Sequence, residues 1–360
     1  MKLPDGIMKC VSRKSWQLLG KTGQLLLSLL LLTVLLFEVY ALTVAYVEGN
    51  AALPPTFGNF ERVRALLAEG DQREEFAFAV VGDPGAGFET FEQIVSALRN
   101  EPLSFIVLLG DCVRKGTPGY HRFLRCELAE ETSLPYPTFF VVGNHDVDRD
   151  RFPISEFEKD YGPTNFSFEY HGCLFIVLRI LNKPYSTDES LTFAESVLST
   201  QRSNCRKVFV FMHIPPSVSR DFRARHFENQ KELIALFDRF HVDYVIAGDY
   251  HGYARVKIAN TVYVVTGGGG GHLEREKFGR FHHAIVFKVG PDWVSERVLL
   301  VNRKVNEDVI EEFAVAEVYP WMENHWAAAV ILNGGVLGIL SWALCGLLGR
   351  RRTGRLYSTE

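Results

Sequence analysis

The chain has 360 residues, of which 47% are hydrophobic, and a formal net charge of −4. This length allows one large domain with additional segments, because α/β domains often exceed two hundred residues. The small negative charge, together with the lack of a basic run in the central region, argues against nucleic acid as a main partner.

A long apolar segment follows the basic N-terminal residues 1–24. Residues 25–47 contain one charge, Glu38, and roughly 20 such residues cross a bilayer core of about 30 Å. The four lysines and one arginine that precede this segment predict a transmembrane helix with a cytoplasmic N-terminus. An alternative stays open, since residues 25–37 are short enough for the apolar part of a cleavable signal peptide.

Residues 49–320 alternate between short apolar runs and amphipathic stretches, which predicts a layered α/β domain. The predicted strands are residues 76–81, 105–109, 138–142, 174–179, 208–212, 244–247, 262–265 and 284–289. The predicted helices are residues 88–99, 120–129, 190–201 and 229–240. The strand-rich residues 261–301 are expected to form a second sheet that packs on the first.

Five of the predicted strands lead directly into residues of metal-binding type. These are Gly82-Asp83, Gly110-Asp111, Gly143-Asn144-His145-Asp146, His213 and Gly248-Asp249-Tyr250-His251. Loops at the carboxyl ends of such strands open into a crevice, so these side chains are expected to lie together. Carboxylate, amide and imidazole donors suit manganese, iron, zinc or magnesium. Each residue alone also fits a structural role in a turn or in the core.

A second apolar segment without any charge covers residues 326–348, and Trp321, Trp326 and Trp342 are suited to a membrane interface. Four arginines lie in residues 349–360. This pattern predicts a second transmembrane helix with a cytoplasmic basic tail, which places both termini in the cytoplasm and the central domain on the extracytoplasmic side. The segment contains Asn333-Gly334-Gly335, and a buried hairpin-like element or an interfacial element is the alternative.

Cysteines leave the redox state open. Four of them lie in the central domain, at positions 112, 126, 173 and 205. An extracytoplasmic compartment would permit disulfide pairing, but buried free thiols fit the same positions, and we assign no bridge.

Taken in chain order, the strand-end motifs resemble the calcineurin-like metallophosphoesterases, in particular their outward-facing, purple-acid-phosphatase-like branch. The similarity covers residues 77–289 and includes Met212-His213-Ile214-Pro215-Pro216 and Thr266 with the glycine run after it. The resemblance implies a metallophosphoesterase-type β-sandwich flanked by helices. It is specific because five motifs occur in the family's order, whereas a single glycine-aspartate pair carries no information.

The resemblance also implies a site with two divalent or trivalent metal ions, such as manganese, iron or zinc. Asp83, Asp111 and His251 would hold one ion. Asp111 would bridge to the second ion, which would also be held by Asn144, His213 and Asp249. In the family's chemistry a hydroxide activated by the metals attacks phosphorus in line. His145 would protonate the leaving oxygen, and Asp146 would orient its imidazole.

Three residues depart from the family's pattern. Gly85 stands where the family often has a histidine ligand, and Asp249 replaces another histidine with a carboxylate that can still bind a metal. Arg114 stands where many relatives have a carboxylate, an amide or a phenol, and it could hold a substrate phosphate by bidentate hydrogen bonds. His272 and His282 lie near the glycine run and are further candidates for substrate binding.

The predicted function is therefore a membrane-anchored, outward-facing, metal-dependent hydrolase of phosphomonoesters or phosphodiesters. A lipid or envelope-linked phosphoester is a candidate substrate, and a soluble ester fits equally well. Residues 181–191 and 217–227 are candidate rim loops. Two alternatives remain: a degenerate relative with a binding or regulatory role, and a membrane scaffold in which the central domain is a passive spacer.

Overall fold

The computed structural model describes residues 13–47, 51–68, 74–85, 87–130, 132, 134–218, 227–274, 279–305 and 307–349. The chain divides into two units, one formed by Val47–Glu312 and the other by Tyr46 and the residues before it together with Phe313 and the residues after it. The basic residues 1–12 and 350–360, on which the predicted membrane orientation partly depends, lie outside the described residues, as do residues 219–226 of the second rim loop.

The helices and strands are numbered in chain order. They are α1 (Arg13–Val47), α2 (Glu61–Ala68), β1 (Phe76–Val81), α3 (Phe88–Leu98), β2 (Phe105–Leu108), α4 (Pro118–Glu130), β3 (Thr138–Phe140), α5 (Ile154–Tyr161), β4 (Phe166–Tyr170), β5 (Cys173–Val177), α6 (Asp188–Gln201), β6 (Lys207–Met212), α7 (Gln230–Arg239), β7 (Tyr244–Ala247), β8 (Tyr253–Ile258), β9 (Thr261–Thr266), β10 (His282–Val289), β11 (Val294–Val301), α8 (Val309–Phe313), α9 (Tyr319–Asn324) and α10 (Trp326–Gly349).

Two sheets form the centre of the Val47–Glu312 unit. The first has the strand order β11-β10-β1-β2-β3, and the second has the order β4-β5-β6-β7-β9-β8. Strands β1, β2 and β3 are parallel to one another, as are β5, β6, β7 and β9. The carboxyl ends of each parallel set therefore lie at one edge of its sheet, which is where loops of an α/β protein form a crevice.

The two sheets pack face to face through aromatic side chains. Phe78 of β1 lies between them, with its ring centroid 5.6 Å from that of Phe175 and 5.2 Å from that of Phe209. Helices cover the outer faces: α3 buries Phe88, Phe91 and Ile94, which recur at helical spacing. The predicted layered β-sandwich flanked by helices is confirmed.

The predicted second sheet over residues 261–301 is wrong. Strand β9 joins the second sheet beside β7, whereas β10 and β11 join the first, and β10 runs antiparallel to β1 with Phe76 opposite Val289. Here the long apolar β10, which is buried at seven of its eight residues, instead fills the place beside β1, where both of its faces are covered.

The structure decides two points that the sequence left open: whether the cysteines of the central domain are paired, and whether the second apolar segment is a hairpin-like element. Cys112, Cys126, Cys173 and Cys205 are buried free thiols. Helix α10 is continuous through Asn333-Gly334-Gly335, so the hairpin-like alternative is wrong. Residues Gly20–Val47 of α1 and Trp326–Gly346 of α10 are long and apolar enough to cross a membrane, by length and composition alone.

Candidate metal centre

The strand-end residues converge on one cluster. Asp83 follows β1, Asp111 follows β2 and His213 follows β6, so the two sheets contribute to the same place. Potential ligand atoms of these three buried residues all lie within 4.8 Å of one another. This spacing allows the three side chains to share a cation or to flank a pair of cations.

An unusual backbone conformation places the aspartates. Asp83, Asp111 and Asp249 have φ angles of 58°, 52° and 61°, in the left-handed region that non-glycine residues rarely adopt. Aspartate tolerates this conformation better than most residues because its short polar side chain can hydrogen-bond locally. Strained backbone of this kind concentrates at functional sites. The same sharp turn after three different strands indicates that the aspartate side chains are placed for a shared purpose.

His213 is the centre of one half of the cluster. Its Nδ1 donates to the carbonyl oxygen of Leu109 at 2.7 Å, which leaves Nε2 to the cluster. Nε2 lies 3.1 Å from Oδ1 of Asn144, 3.3 Å from Oδ1 of Asp111 and 3.7 Å from Oδ1 of Asp249. A histidine whose outer nitrogen is fixed by a carbonyl presents the other nitrogen as a metal ligand.

His251 and Asp83 form the other half, in the same pattern. Nδ1 of His251 donates to the carbonyl oxygen of His272 at 2.6 Å, and its Nε2 lies 3.4 Å from Oδ1 of Asp83. Both carboxylate oxygens of Asp83 are buried and accept no hydrogen bond within the described part of the chain. Buried carboxylate oxygens without donors are costly unless a positive charge neutralises them.

The charge balance of the cluster favours a cation. Burial alone lowers the pKa of His213, but Asp111, Asp83 and Asp249 outweigh that effect and raise this pKa well above its ordinary value. Burial likewise lowers the pKa of His251, and Asp83 more than compensates, raising this pKa to about 9. The carboxylates therefore attract positive charge strongly, and the donor set of oxygens and imidazole nitrogens fits divalent metals.

Asp146 does not take the role that we predicted for it. Its carboxylate accepts four backbone N–H groups, from Gly143 at 2.7 Å, Asp111 at 2.8 Å, Cys112 at 2.8 Å and Val113 at 3.2 Å. Four converging donors are the pattern of an ionised carboxylate, although burial and the charge of Asp111 raise its pKa. Asp146 thus ties the turn after β3 to the turn after β2, and among the described residues no hydrogen bond or ion pair joins its carboxylate to the imidazole of His145.

His145 is held by a different partner. Its Nδ1 donates to the main-chain carbonyl of Arg114 at 2.9 Å, and its Nε2 lies 4.0 Å from Oδ2 of Asp111. Its backbone N–H donates to Oδ1 of Asp111 at 2.8 Å. The side chain is half exposed. His145 therefore stands at the open side of the cluster, with one nitrogen available to a bound molecule.

A cavity of about 200 Å³ opens over the cluster. Ten residues line it: Asp83, Gly85, Asp111, Val113, Arg114, His145, Asp249, His251, His272 and Glu274. Two larger cavities, of about 710 and 560 Å³, contain none of the cluster residues. We assign the site to the smaller cavity because the metal-binding side chains are there.

The three predicted substrate-binding residues have different outcomes. His272 lines the cavity, as does Arg114. His282 does not, because it is buried on β10, where its Nδ1 contacts the carbonyl oxygen of Gly268 at 3.2 Å. The glycine run after β9 was expected to bring both histidines to the substrate, but an inward-facing position on β10 keeps His282 in the core.

The predicted rim loops do not line the cavity in the described residues. In the loop at residues 181–191, Lys183 forms an ion pair with Glu228 at 3.3 Å, and Asp188 accepts a hydrogen bond from Asn229. These contacts tie the loop to the segment before α7. Glu274 and Val113 line the cavity but carried no signal in the sequence, since neither belongs to a motif.

Gly85 has a structural reason to be a glycine. A Cβ atom at this position would lie 2.5 Å from the carbonyl oxygen of Asp111, well inside van der Waals contact. The backbone of the β1 loop thus passes so close to the β2 loop that no side chain fits, and Gly85 N donates to the same carbonyl at 2.9 Å. The histidine that the family often has here is excluded by this packing.

Comparison with known proteins gives a consistent result. A family model described as calcineurin-like phosphoesterase matches residues 76–253. Serine/threonine-protein phosphatase CPPED1 of Bos taurus is 31% identical over 215 residues, which cover 52% of this chain and 66% of the relative. The Homo sapiens protein of the same name is 28% identical over 212 residues, which cover 52% and 67%. The chain thus spans about two thirds of the length of these relatives.

Solved structures with similar folds include two proteins with low sequence identity. Purple acid phosphatase PPD1 from yellow lupin seeds is 16% identical, with a TM-score of 0.49, and the match covers 63% of this chain and 52% of that one. GAP50, described as the anchor in the inner membrane complex of Plasmodium, is 17% identical, with a TM-score of 0.47 and coverage of 68% and 96%. The family model matches the segment that carries most of the strand-end motifs, and residues 76–253 therefore form a calcineurin-like phosphoesterase domain, the domain of a family of metal-dependent phosphoester hydrolases.

Proposed function

We propose that the chain is a metal-dependent phosphoesterase anchored in a membrane by two spans. The observation that carries this proposal is the buried cluster of Asp83, Asp111 and His213, whose potential ligand atoms lie within 4.8 Å of one another. The buried oxygens of Asp83, which accept no hydrogen bond in the described residues, support the presence of a cation there.

The proposed ligands divide into two groups that share Asp111. Asp83, Asp111 and His251 would hold one cation, and Asp111, Asn144, His213 and Asp249 would hold the other. When bound, two such ions lower the pKa of water and neutralise the charge that develops on the phosphoryl oxygens.

The chain's own residues would bind and orient the substrate. Arg114 lines the cavity, and its guanidinium is suited to two oxygens of one phosphoryl group. His145 stands at the open side of the cluster with Nδ1 fixed by the carbonyl of Arg114. In its protonated form, Nε2–H of His145 would donate its proton to the leaving oxygen.

The proposed membrane topology rests on the two apolar helices and on their flanks. Basic residues precede α1 and follow α10, so both termini would be cytoplasmic and residues 49–320 extracytoplasmic. We expect tags at both termini to be protected from added protease in right-side-out vesicles while the central domain is cleaved. Cleavage of both tags would contradict this topology.

The proposed substrates are phosphomonoesters or phosphodiesters. Anchoring at two points would hold the domain near the membrane, where a lipid or envelope-linked ester is accessible. The bovine relative is named a serine/threonine-protein phosphatase, so a phosphoserine peptide belongs among the esters to test.

A second candidate is a metal-binding protein without turnover. The packing at Gly85 favours it, because the close approach of the Asp111 carbonyl excludes one ligand that the family often has. Retention of metals together with a lack of hydrolysis would support this candidate.

The test uses the full chain in detergent, loaded with manganese, iron or zinc, and three substrates: 4-nitrophenyl phosphate, bis(4-nitrophenyl) phosphate and a phosphoserine peptide. We expect hydrolysis of at least one of them and its loss in Asp111→Asn. Asp238→Asn, on the exposed face of α7, is the matched control and should keep the activity. No hydrolysis by the metal-loaded wild type would contradict the proposed enzyme.

A further inference from the structure

Arg114 is paired with a carboxylate from a distant part of the chain. Its Nε lies 2.9 Å from Oε2 of Glu312, which is on α8. The Glu312 side chain is only 7% exposed, while the Arg114 side chain is 36% exposed. One end of this ion pair is therefore buried and the other reaches the cavity.

Burial makes this pairing persistent. Desolvation raises the pKa of Glu312, and the charge of Arg114 opposes that effect, with a smaller contribution from Lys115 and an opposite one from Asp308. A buried carboxylate that loses its partner is strongly unfavourable. Arg114 is the only cation that forms an ion pair with Glu312 among the described residues. Glu312 therefore cannot release the guanidinium without remaining buried and unpaired.

Glu312 lies at one edge of the Arg114 guanidinium and leaves the other edge available to a bound molecule. A guanidinium has five N–H donors in a planar fork. The atom nearest to Glu312 is Nε, which forms an ion pair with Oε2 but no hydrogen bond in the described residues. The two Nη atoms form the second edge, which matches two oxygens of a phosphoryl group. Arg114 lines the cavity together with Asp83, Asp111 and His145.

Arg114 is also linked to His145 through its main chain, since its carbonyl accepts from Nδ1 of that imidazole. One residue thus contacts the proposed proton donor by its backbone and reaches the cavity by its side chain. Only the side chain depends on Glu312 for its position.

We infer that Glu312 is a positioning residue, which holds the Arg114 guanidinium at the cavity so that its Nη edge binds the phosphoryl oxygens of the substrate. The inference rests on the proposed function. A simple electrostatic role makes the opposite prediction: a nearby anion weakens the binding of another anion, so removing its charge would strengthen phosphate binding.

The experiment compares Glu312→Gln, Arg114→Ala and the double variant in the full, manganese-loaded chain in detergent. Glu307→Gln, an exposed residue just before α8, is the matched control. Inorganic phosphate is titrated by calorimetry, and hydrolysis of 4-nitrophenyl phosphate gives KM and kcat. Bound manganese is measured for every variant.

We expect Glu312→Gln to raise the Kd for phosphate and the KM by about 3- to 10-fold, with little change in kcat, because uniform binding is lost. Arg114→Ala should raise both by about 10- to 100-fold, the range for a charge-assisted hydrogen bond. The double variant should match Arg114→Ala, since Glu312 acts only through Arg114. Glu307→Gln should match the wild type.

Tighter phosphate binding by Glu312→Gln would overturn the inference. A rise in Kd when Glu312→Gln is added to Arg114→Ala, as large as the rise that it causes in the wild type, would overturn it too. Loss of bound manganese in Glu312→Gln would indicate that this variant does not fold. In that case Arg114→Lys replaces it, because lysine keeps the positive charge but lacks the planar fork of the guanidinium. We expect Arg114→Lys to raise the Kd, and an unchanged Kd would overturn the inference. A wild type that binds phosphate without hydrolysing any ester would contradict the proposed enzyme alone, and a wild type that does not bind phosphate would overturn the inference.

Discussion

Asp146→Asn should destabilise the catalytic domain, because the carboxylate of Asp146 holds together the turns after β2 and β3. One oxygen, Oδ2, accepts from the backbone N–H groups of Gly143 and Asp111, and the other, Oδ1, accepts from those of Cys112 and Val113. The side chain is fully buried, so water cannot replace a lost partner.

The expected loss in the free energy of unfolding follows from these four hydrogen bonds. Asparagine keeps one acceptor oxygen and presents an NH₂ group in place of the other, so two backbone donors lose their partner in either orientation. A hydrogen bond to a charged group contributes about 1.5–3 kcal/mol, which gives a loss of about 3–6 kcal/mol in the free energy of unfolding. That is a large share of the 5–15 kcal/mol typical of a domain, as an order of magnitude.

The assay is urea unfolding of the full chain in detergent, with bound manganese measured in parallel. The backbone N–H of Asp111 is one of the affected donors, so we expect the variant to bind less metal as well. The matched control is Asp148→Asn, where the carboxylate accepts from the backbone of Asp150 and Arg151 in an exposed turn. This control should lower the free energy of unfolding by less than about 1 kcal/mol, as is usual for surface substitutions.

A free energy of unfolding within about 1 kcal/mol of the wild type, with unchanged metal content, would refute this reasoning. Native stability combined with a lower kcat would instead support the role predicted from the sequence, in which Asp146 orients the imidazole of His145.

Three further changes have expected outcomes. Asp249→His should raise the zinc-to-manganese ratio bound from an equimolar mixture, since it exchanges an oxygen donor for a nitrogen donor; an unchanged ratio, by elemental analysis, would count against Asp249 as a ligand. Gly85→His should lower bound metal, because its Cβ would lie 2.5 Å from the carbonyl oxygen of Asp111, and a gain of metal would contradict the packing argument. Burial lowers the pKa of His121 to about 3 from an ordinary 6.5, so its contribution to stability is complete above pH 6.5 and is lost as the pH falls toward 3. Between pH 6.5 and 5, His121→Gln should reduce the slope of unfolding free energy against pH, measured by urea unfolding, by up to about 1.4 kcal/mol per pH unit; equal slopes would contradict this.

Much of the fold could be predicted from the sequence because its central strands are continuous apolar runs. The bounds of β1 and β7 match the predicted ones, since both are buried along their whole length and end at a glycine. Strands β4, β8 and β11 are absent from the predicted strands. All three lie at sheet edges. Strand β4 alternates between buried and more exposed residues, and β8 and β11 have only half-buried and exposed residues, so their pattern is difficult to distinguish from that of a loop.

The parts of the site that could be predicted are those that depend on local sequence. A carboxylate or imidazole directly after a buried strand lies at the crevice whatever the rest of the chain does, which is how Asp83, Asp111 and His213 were found. The partners of Asp146 are backbone groups of another loop, brought close by the pairing of β2 with β3. Glu312 reaches Arg114 from the far end of the domain. No local pattern encodes such contacts, because they depend on tertiary packing.

The most direct test of the metal centre is the metal content of the full chain, measured by elemental mass spectrometry after reconstitution with manganese, iron or zinc. We predict two metal ions per wild-type chain and fewer in Asp111→Asn and His213→Ala. The exposed-residue controls Asp238→Asn and His241→Ala should retain both ions. A wild type that binds no metal, or variants that bind as much as the wild type, would contradict the proposed centre.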